Sequence, residues 1–253
     1  MRRFFSERTN IRVGSSVKLD ADQTSHMRKI LRLKVGDEIL IFNGEKEFKA
    51  KIIKLTKTFS LARVFEIVEK LDFSHETYKD ITLVQGIIKP IRFELIIEKA
   101  TELGVTKFQP IHTDYSQISE EKFVKKYPRW KKIIVESAKQ SERIDIPELF
   151  PPQHFKDFIS NIKNYDCVFV LSIKNRKESH FIENKISREF KLPKNFSKIA
   201  VCIGPEGGFS ENEYRILDQL DVDFVTISDN VLRSETAGIA TIAILKYLIL
   251  SFS

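Results

Sequence analysis

Cysteine is scarce: the 253 residues hold two, Cys167 and Cys202, each inside an apolar run that reads as a buried strand. A disulfide scaffold would need several, so both are expected to be reduced core thiols. The five histidines, His26, His75, His112, His154 and His180, stand far apart with no second ligand at metal spacing, and no metal site is expected. Long apolar runs are missing too. The longest near the C-terminus, Ala237 to Leu245, is broken by Lys246 and falls short of the roughly 20 residues that span a bilayer, so no membrane helix is expected. The first residues, Met1-Arg2-Arg3-Phe4-Phe5-Ser6-Glu7-Arg8, carry positive charge with no apolar stretch behind them, unlike a secretory signal, and a cytoplasmic protein is expected. The remaining composition, 42% hydrophobic and 30% charged, excludes a fibrous or disordered chain and suits one large domain or two smaller ones.

The net charge of +7 falls entirely in residues 1–70, which hold 16 Lys/Arg against 9 Asp/Glu, while the other 183 residues balance at 26 against 26. A small basic module joined to a neutral larger one suits a protein in which one part holds a polyanion and the other does chemistry. The plain alternative is a lysine-rich surface. Arginine clusters favour the first reading: Arg2, Arg3, Arg8 and Arg12, then Arg28, Lys29, Arg32 and Lys34. Phe4 and Phe5 offer base-stacking surfaces beside the first cluster, or else core.

The basic module reads as mostly β. Glu38–Phe42 and Phe48–Ile52 flank Asn43-Gly44, which tolerates the positive φ of a hairpin turn. A third strand follows near Ser60–Val68, and His26–Leu33 reads as a short helix with Met27, Ile30, Leu31 and Leu33 inward. The whole resembles a small β-barrel with one basic helix. From Asp80 onward strands and helices alternate: strand Ile81–Gln85, helix Phe93–Leu103 stopped by Gly104, strand Val105–Ile111, helix Pro128–Ser141. After a proline-rich joint at Pro147, Pro151 and Pro152 come helix His154–Ile162, strand Tyr165–Leu171, a helix within Glu178–Phe190, strand Ile199–Ile203, helix Glu211–Leu220, strand Phe224–Ile227 and helix Ser234–Leu250. Repeated βα units argue for a mainly parallel sheet covered on both faces, with any ligand at the C-terminal strand ends.

Two segments carry the chemistry. Gly204-Pro205-Glu206-Gly207-Gly208-Phe209-Ser210 lies between an apolar strand and a helix whose Ser210 and Glu213 form a capping box. It lacks the Gly-Lys-Ser/Thr ending of a P-loop and the spacing of a dinucleotide fingerprint, so a nucleoside held by backbone amides fits better than a triphosphate; a tight turn needing glycine for φ alone is the bland reading. Val231-Leu232-Arg233-Ser234-Glu235-Thr236-Ala237 again joins strand to helix. Arg233 there can hold a phosphate or a developing negative charge, or simply pair with Glu235 or Asp229.

Together with His26-x-x-x-Ile30-Leu31-Arg32 and Glu98-Lys99-Ala100-Thr101-Glu102-Leu103-Gly104-Val105, these segments resemble, in order through nearly the whole chain, the RsmE family of SPOUT-class methyltransferases, which act on N3 of a uridine in small-subunit (16S) ribosomal RNA. The resemblance implies an α/β fold with a SPOUT-type trefoil knot in residues 71–253, preceded by a PUA-like RNA-binding β-barrel in residues 1–70. It implies a homodimer and S-adenosylmethionine bound by three loops: one after Leu171, one at Ile203, Gly204, Pro205, Glu206, Gly207 and Gly208, and one through Ile227, Val231 and Leu232. Arg233 would stabilise the uridine anion or fix a phosphate, Glu206 and Glu235 are the candidate proton acceptors, and Arg2, Arg3, Arg8, Arg28 and Arg32 would hold the RNA. The chain departs from the family pattern at Lys89-Pro90-Ile91-Arg92, Thr113-Asp114-Tyr115-Ser116, Ser228-Asp229-Asn230, and Gln140-Ser141-Glu142-Arg143, where relatives commonly have glycine third. Two other classes stand against an enzyme of this family: a non-catalytic RNA-binding protein that keeps the fold, and a dinucleotide-dependent enzyme, which the missing fingerprint disfavours.

Overall fold

Residues 1–68, 79–173 and 182–251 are described by the computed structural model, and they belong to two units, Met1–Phe73 with Ala138–Ile146, and Ser74–Ser137 with Pro147–Ser253. The expected boundary at residue 70 lies outside the described residues.

The first unit contains β1 (Arg3–Phe5), β2 (Ser16–Leu19), α1 (Ala21–Lys29), β3 (Glu38–Phe42), β4 (Glu47–Leu55) and β5 (Ser60–Val68). The strands form one sheet in the order β1-β3-β4-β5-β2, with only β1 and β3 parallel. Phe4, Val17, Met27, Ile41, Phe48 and Val64, from the helix and all five strands, share one core, so the sheet wraps on itself. β1 and β2 stay its two edges, and the expected barrel is open. The Asn43-Gly44 turn forms as patterned: Gly44 has φ 92, and Asn43 Oδ1 accepts from the N–H groups of Glu45 and Lys46.

The helix differs from the expected His26–Leu33. Asp20 starts it earlier, its carboxylate accepting from Gln23 N–H at 2.8 Å, and the chain turns away at Ile30, with Arg32 in left-handed backbone at φ 54. Ile30 is therefore 69% exposed, while Thr24 and Met27 fill the inner face.

Arg3 is an internal tie. Its Nε donates to Glu47 Oε1 at 2.6 Å with both side chains buried, its guanidinium lies 4.5 Å from the Phe42 ring centroid, and its other nitrogens donate to the carbonyls of Ala138, Lys139 and Arg143. Phe4 is core, 2% exposed, and Phe5 packs on Phe42. In the same unit Glu142 has φ 58. Left-handed backbone costs a residue with a Cβ about 1–2 kcal/mol, partly offset by the greater unfolded-state freedom of glycine. Glu142→Gly should therefore raise stability by about 0.5–1 kcal/mol; an unchanged or lower urea midpoint would contradict this.

The second unit runs β6 (Asp80–Gly86), α2 (Pro90–Glu102), β7 (Lys107–His112), α3 (Glu120–Val124), α4 (Tyr127–Gln140, its end in the first unit), β8 (Glu148–Leu149), β9 (Gln153–His154), α5 (Phe155–Ser160), β10 (Cys167–Leu171), β11 (Lys198–Ile203), α6 (Glu211–Leu217), β12 (Asp223–Val225) and α7 (Ser234–Ser251). The sheet is parallel throughout, in the order β12-β10-β11-β6-β7-β8, with β9 also on β7. β6 and β11 lie side by side, yet the chain leaves β6 toward β7 and leaves β11 toward β12. Such a switch of direction opens a crevice at the C-terminal strand ends.

Of the helix expected within Glu178–Phe190, residues 178–181 lie outside the described residues, and 182–190 hold no α-helix. Instead Ser187 runs beside β12, its N–H donating to Phe224 O at 2.9 Å and its carbonyl accepting from Thr226 N–H at 2.8 Å, which satisfies strand groups that would otherwise be unpaired. Cys167 and Cys202 are free and buried; burial pushes the Cys167 thiol up to about 11 and raises that of Cys202 as well. α7 is longer than the apolar run read from the sequence and by length and composition could cross a membrane. Here Ala237, Gly238, Thr241, Ile242, Leu245 and Ile249 are buried in the protein, and the helix packs on α2 and β11.

Candidate functional site

The crevice is shaped by glycine. Gln85 and Ile203 are register partners at the ends of β6 and β11, so Gly86 faces the start of the glycine loop; a Cβ on Gly86 would lie 2.6 Å from Pro205 N and Cδ. A Cβ on Gly204 would lie 2.8 Å from the carbonyl carbon of Gly208. The loop is closed by Gly208 N–H donating to Pro205 O at 2.9 Å, with Gly208 at φ 78. The capping box then starts α6: Glu213 N–H donates to Ser210 Oγ, and Ser210 N–H to Glu213 Oε2. Burial raises the Glu213 carboxyl above its ordinary range, against the lowering effect of the backbone donors Ser210 and Asp114.

Three loops surround a recess of about 650 Å³, its open mouth included. Leu171 belongs to the first, Ile203, Gly204, Pro205, Glu206, Gly207 and Gly208 to the second, and Ile227 and Leu232 to the third, so nine of the ten residues expected to hold a cofactor line one space. Val231 does not; it is 63% exposed. Ser172 and Ser228, inside the expected loops, and Thr226 and Ser234, outside them, also line the recess. Parallel pairing of β10 with both β11 and β12 brings them there, and no local pattern in the sequence marks that pairing.

Gln85, near the end of β6, is a second unexpected contributor. It is 1% exposed, and its Nε2 donates to Ser234 Oγ at 2.8 Å and Gly86 O at 2.9 Å. Ser234 Oγ in turn donates to Gly204 O at 2.6 Å. The side chain thus ties the end of β6 and the start of α7 to the glycine loop.

Residues 75–246 match the RNA methyltransferase domain model and residues 19–65 the RNA methyltransferase PUA domain model. Ribosomal RNA small subunit methyltransferase E of Mesomycoplasma hyopneumoniae is 32% identical over 83% of this chain and 86% of its own length, and that of Rickettsia conorii is 32% identical over 93% and 91%. The chain belongs to the ribosomal RNA small subunit methyltransferase E family. Among solved members, the Neisseria gonorrhoeae protein bound to S-adenosylmethionine superposes with TM-score 0.84 at 26% identity, over 98% of both chains. A Legionella pneumophila methyltransferase in complex with the same cofactor gives 0.83 at 30% identity, over 97% of both.

In this family member the charged groups are divided unexpectedly. Arg92, on the first turn of α2, pairs with Glu206 (Nη1 to Oε1 3.2 Å) and with Glu235 (Nε to Oε1 3.7 Å). Glu206 is on the recess wall. Glu235, 7% exposed, is not among the lining residues, and its Oε2 has no hydrogen-bond partner; the structure gives it to Arg92 rather than to the recess. Arg233 is exposed and makes no ion pair among the described residues, so the alternative of a simple pairing with Glu235 or Asp229 does not form. Arg92 was not singled out as a site residue, because its partners lie more than a hundred positions away. In the first unit Arg2, Arg8, Arg28 and Arg32 are exposed, whereas Arg3 is buried against Glu47 and does not share that surface.

Proposed function

We propose that this protein transfers the methyl group of S-adenosylmethionine to N3 of a uridine in 16S ribosomal RNA of the small subunit, in the cytoplasm. The observation that carries the reading is the charge of the recess. Among the described residues lining it, Glu206 is the one that is charged, which favours a cationic ligand and disfavours the phosphates of a dinucleotide. Leu171, Ile203, Ile227 and Leu232 suit the faces of an adenine ring, and the hydroxyls of Ser172, Thr226 and Ser228 suit the edges of a ribose. Bound there, S-adenosylmethionine supplies an electrophilic sulfonium methyl group. Calorimetry should register S-adenosylmethionine binding and none of NAD; the reverse would overturn the reading.

Uridine N3 is protonated at neutral pH, so it becomes a nucleophile only as its proton leaves and the anion is stabilised. Glu206, on the recess wall, is the proton acceptor in this reading. Glu235 acts through Arg92, holding that cation beside Glu206. Arg233, exposed and with no ion pair among the described residues, stabilises the developing anion or fixes the adjoining phosphate. Arg233→Ala should lower methyl transfer by about 100-fold with little change in S-adenosylmethionine affinity; equal loss of both would sink the assignment.

Residues 1–70 form the PUA-like RNA-binding domain and 71–253 the SPOUT methyltransferase domain, with the trefoil knot of that class. Exposed Arg2, Arg8, Arg28 and Arg32 support the RNA assignment. A homodimer is supported by the apolar side chains left exposed on the packed pair α2 and α7: Ile91, Leu95, Ile244, Tyr247 and Leu250.

A further inference from the structure

The turn after β7, Thr113-Asp114-Tyr115-Ser116, is fixed from two sides. Within it, Ser116 N–H donates to Thr113 O at 3.0 Å and Thr113 N–H donates to Ser116 Oγ at 3.1 Å. Outside it, Asp114 N–H donates to Glu213 Oε1 at 3.0 Å, and Ser210 Oγ donates to the Asp114 carboxylate. The turn is thereby bound to the start of α6, immediately after the glycine loop. Tyr115 is nevertheless 40% exposed. Its side chain lies against Gly207: a Cβ on that glycine would come within 3.0–3.1 Å of Tyr115 Cβ, Cγ and Cδ2. Gly207 forms part of the recess wall, so the ring stands at the rim.

We propose that Tyr115 is the platform on which the acceptor uracil stacks, an inference that rests on the methyltransferase reading above. A base drawn out of folded RNA loses its stacked neighbours, and an exposed aromatic ring beside the cofactor recess replaces them. Phe209 and Tyr214 also border the recess but are 1% and 5% exposed, too buried to meet a base. The rim offers matching polar groups next to Gly207, where Glu206 and Arg92 sit 3.2 Å apart. The Watson–Crick edge of uracil presents N3–H between two carbonyl oxygens; a carboxylate accepts from the first and a guanidinium donates to either carbonyl. Cytosine has no N3–H to offer. Because the turn is fixed before RNA arrives, little ordering remains to oppose binding.

The test compares wild type, Tyr115→Ala and Tyr115→Phe in methylation of unmodified small ribosomal subunits, with S-adenosylmethionine affinity from calorimetry and urea midpoints for each. Tyr115→Ala should lower kcat/KM for the RNA by roughly 5- to 100-fold, the range of one lost base–aromatic stack, with cofactor affinity and midpoint unchanged. Tyr115→Phe should keep most of the activity. A Phe variant as poor as the Ala variant would overturn the proposal in favour of a hydroxyl contact, and an Ala variant that loses cofactor affinity in step would overturn it in favour of a loop support. Wild type that binds the cofactor yet labels no RNA would defeat the methyltransferase reading itself, and the proposal with it.

Discussion

Arg3→Ala should destabilise the basic unit by about 3–5 kcal/mol, the range for breaking a buried ion pair from one side. The variant would leave the Glu47 carboxylate, 4% exposed, without the guanidinium it accepts from, and would remove the side-chain donor to the carbonyls of Ala138, Lys139 and Arg143. Urea unfolding of that unit measures it, and a loss below about 1 kcal/mol would contradict the geometry. The exposed arginines should behave in the opposite way. Replacing Arg2, Arg8, Arg28 or Arg32 should change stability by no more than about 0.5 kcal/mol, while removing an arginine that pairs with a phosphate should lower the salt slope of RNA binding by about one.

Gly86→Ala should cost S-adenosylmethionine affinity about tenfold or more. The added methyl would meet Pro205 N and Cδ at 2.6 Å and the Gly204 carbonyl carbon at 3.0 Å; these are backbone and ring atoms that cannot swing aside. Overpacking of this kind costs about 1–3 kcal/mol, and the atoms displaced are themselves the recess wall, so about 1.4 kcal/mol of it appears as each factor of ten in Kd. Wild-type affinity in this variant would mean that the loop and β6 can part without disturbing the ligand.

These two glycine and arginine cases mark where the sequence could be read and where it could not. The strand near Ser60–Val68 and the Asn43-Gly44 turn between its flanking strands were legible, because strand and turn are decided by near neighbours. The glycine loop and the Ser210–Glu213 box were legible for the same reason. Arg3 looked like part of a basic cluster, since charge alone does not tell a solvated arginine from one whose acceptors lie 44 and 140 positions away. Helix α1 was displaced by one capping aspartate, Asp20. Gln85, Arg92 and Tyr115 escaped notice as site residues because parallel strand order, absent from any local window, decides which strand ends become neighbours.

The most direct measurement is transfer of labelled methyl from S-adenosylmethionine to small ribosomal subunits lacking the modification, with the product nucleoside identified by mass spectrometry. N3-methyluridine in 16S RNA is the predicted result. Label in another nucleoside would contradict the acceptor, and no label with folded, cofactor-bound protein would contradict the enzyme and leave an RNA-binding protein that has kept the fold.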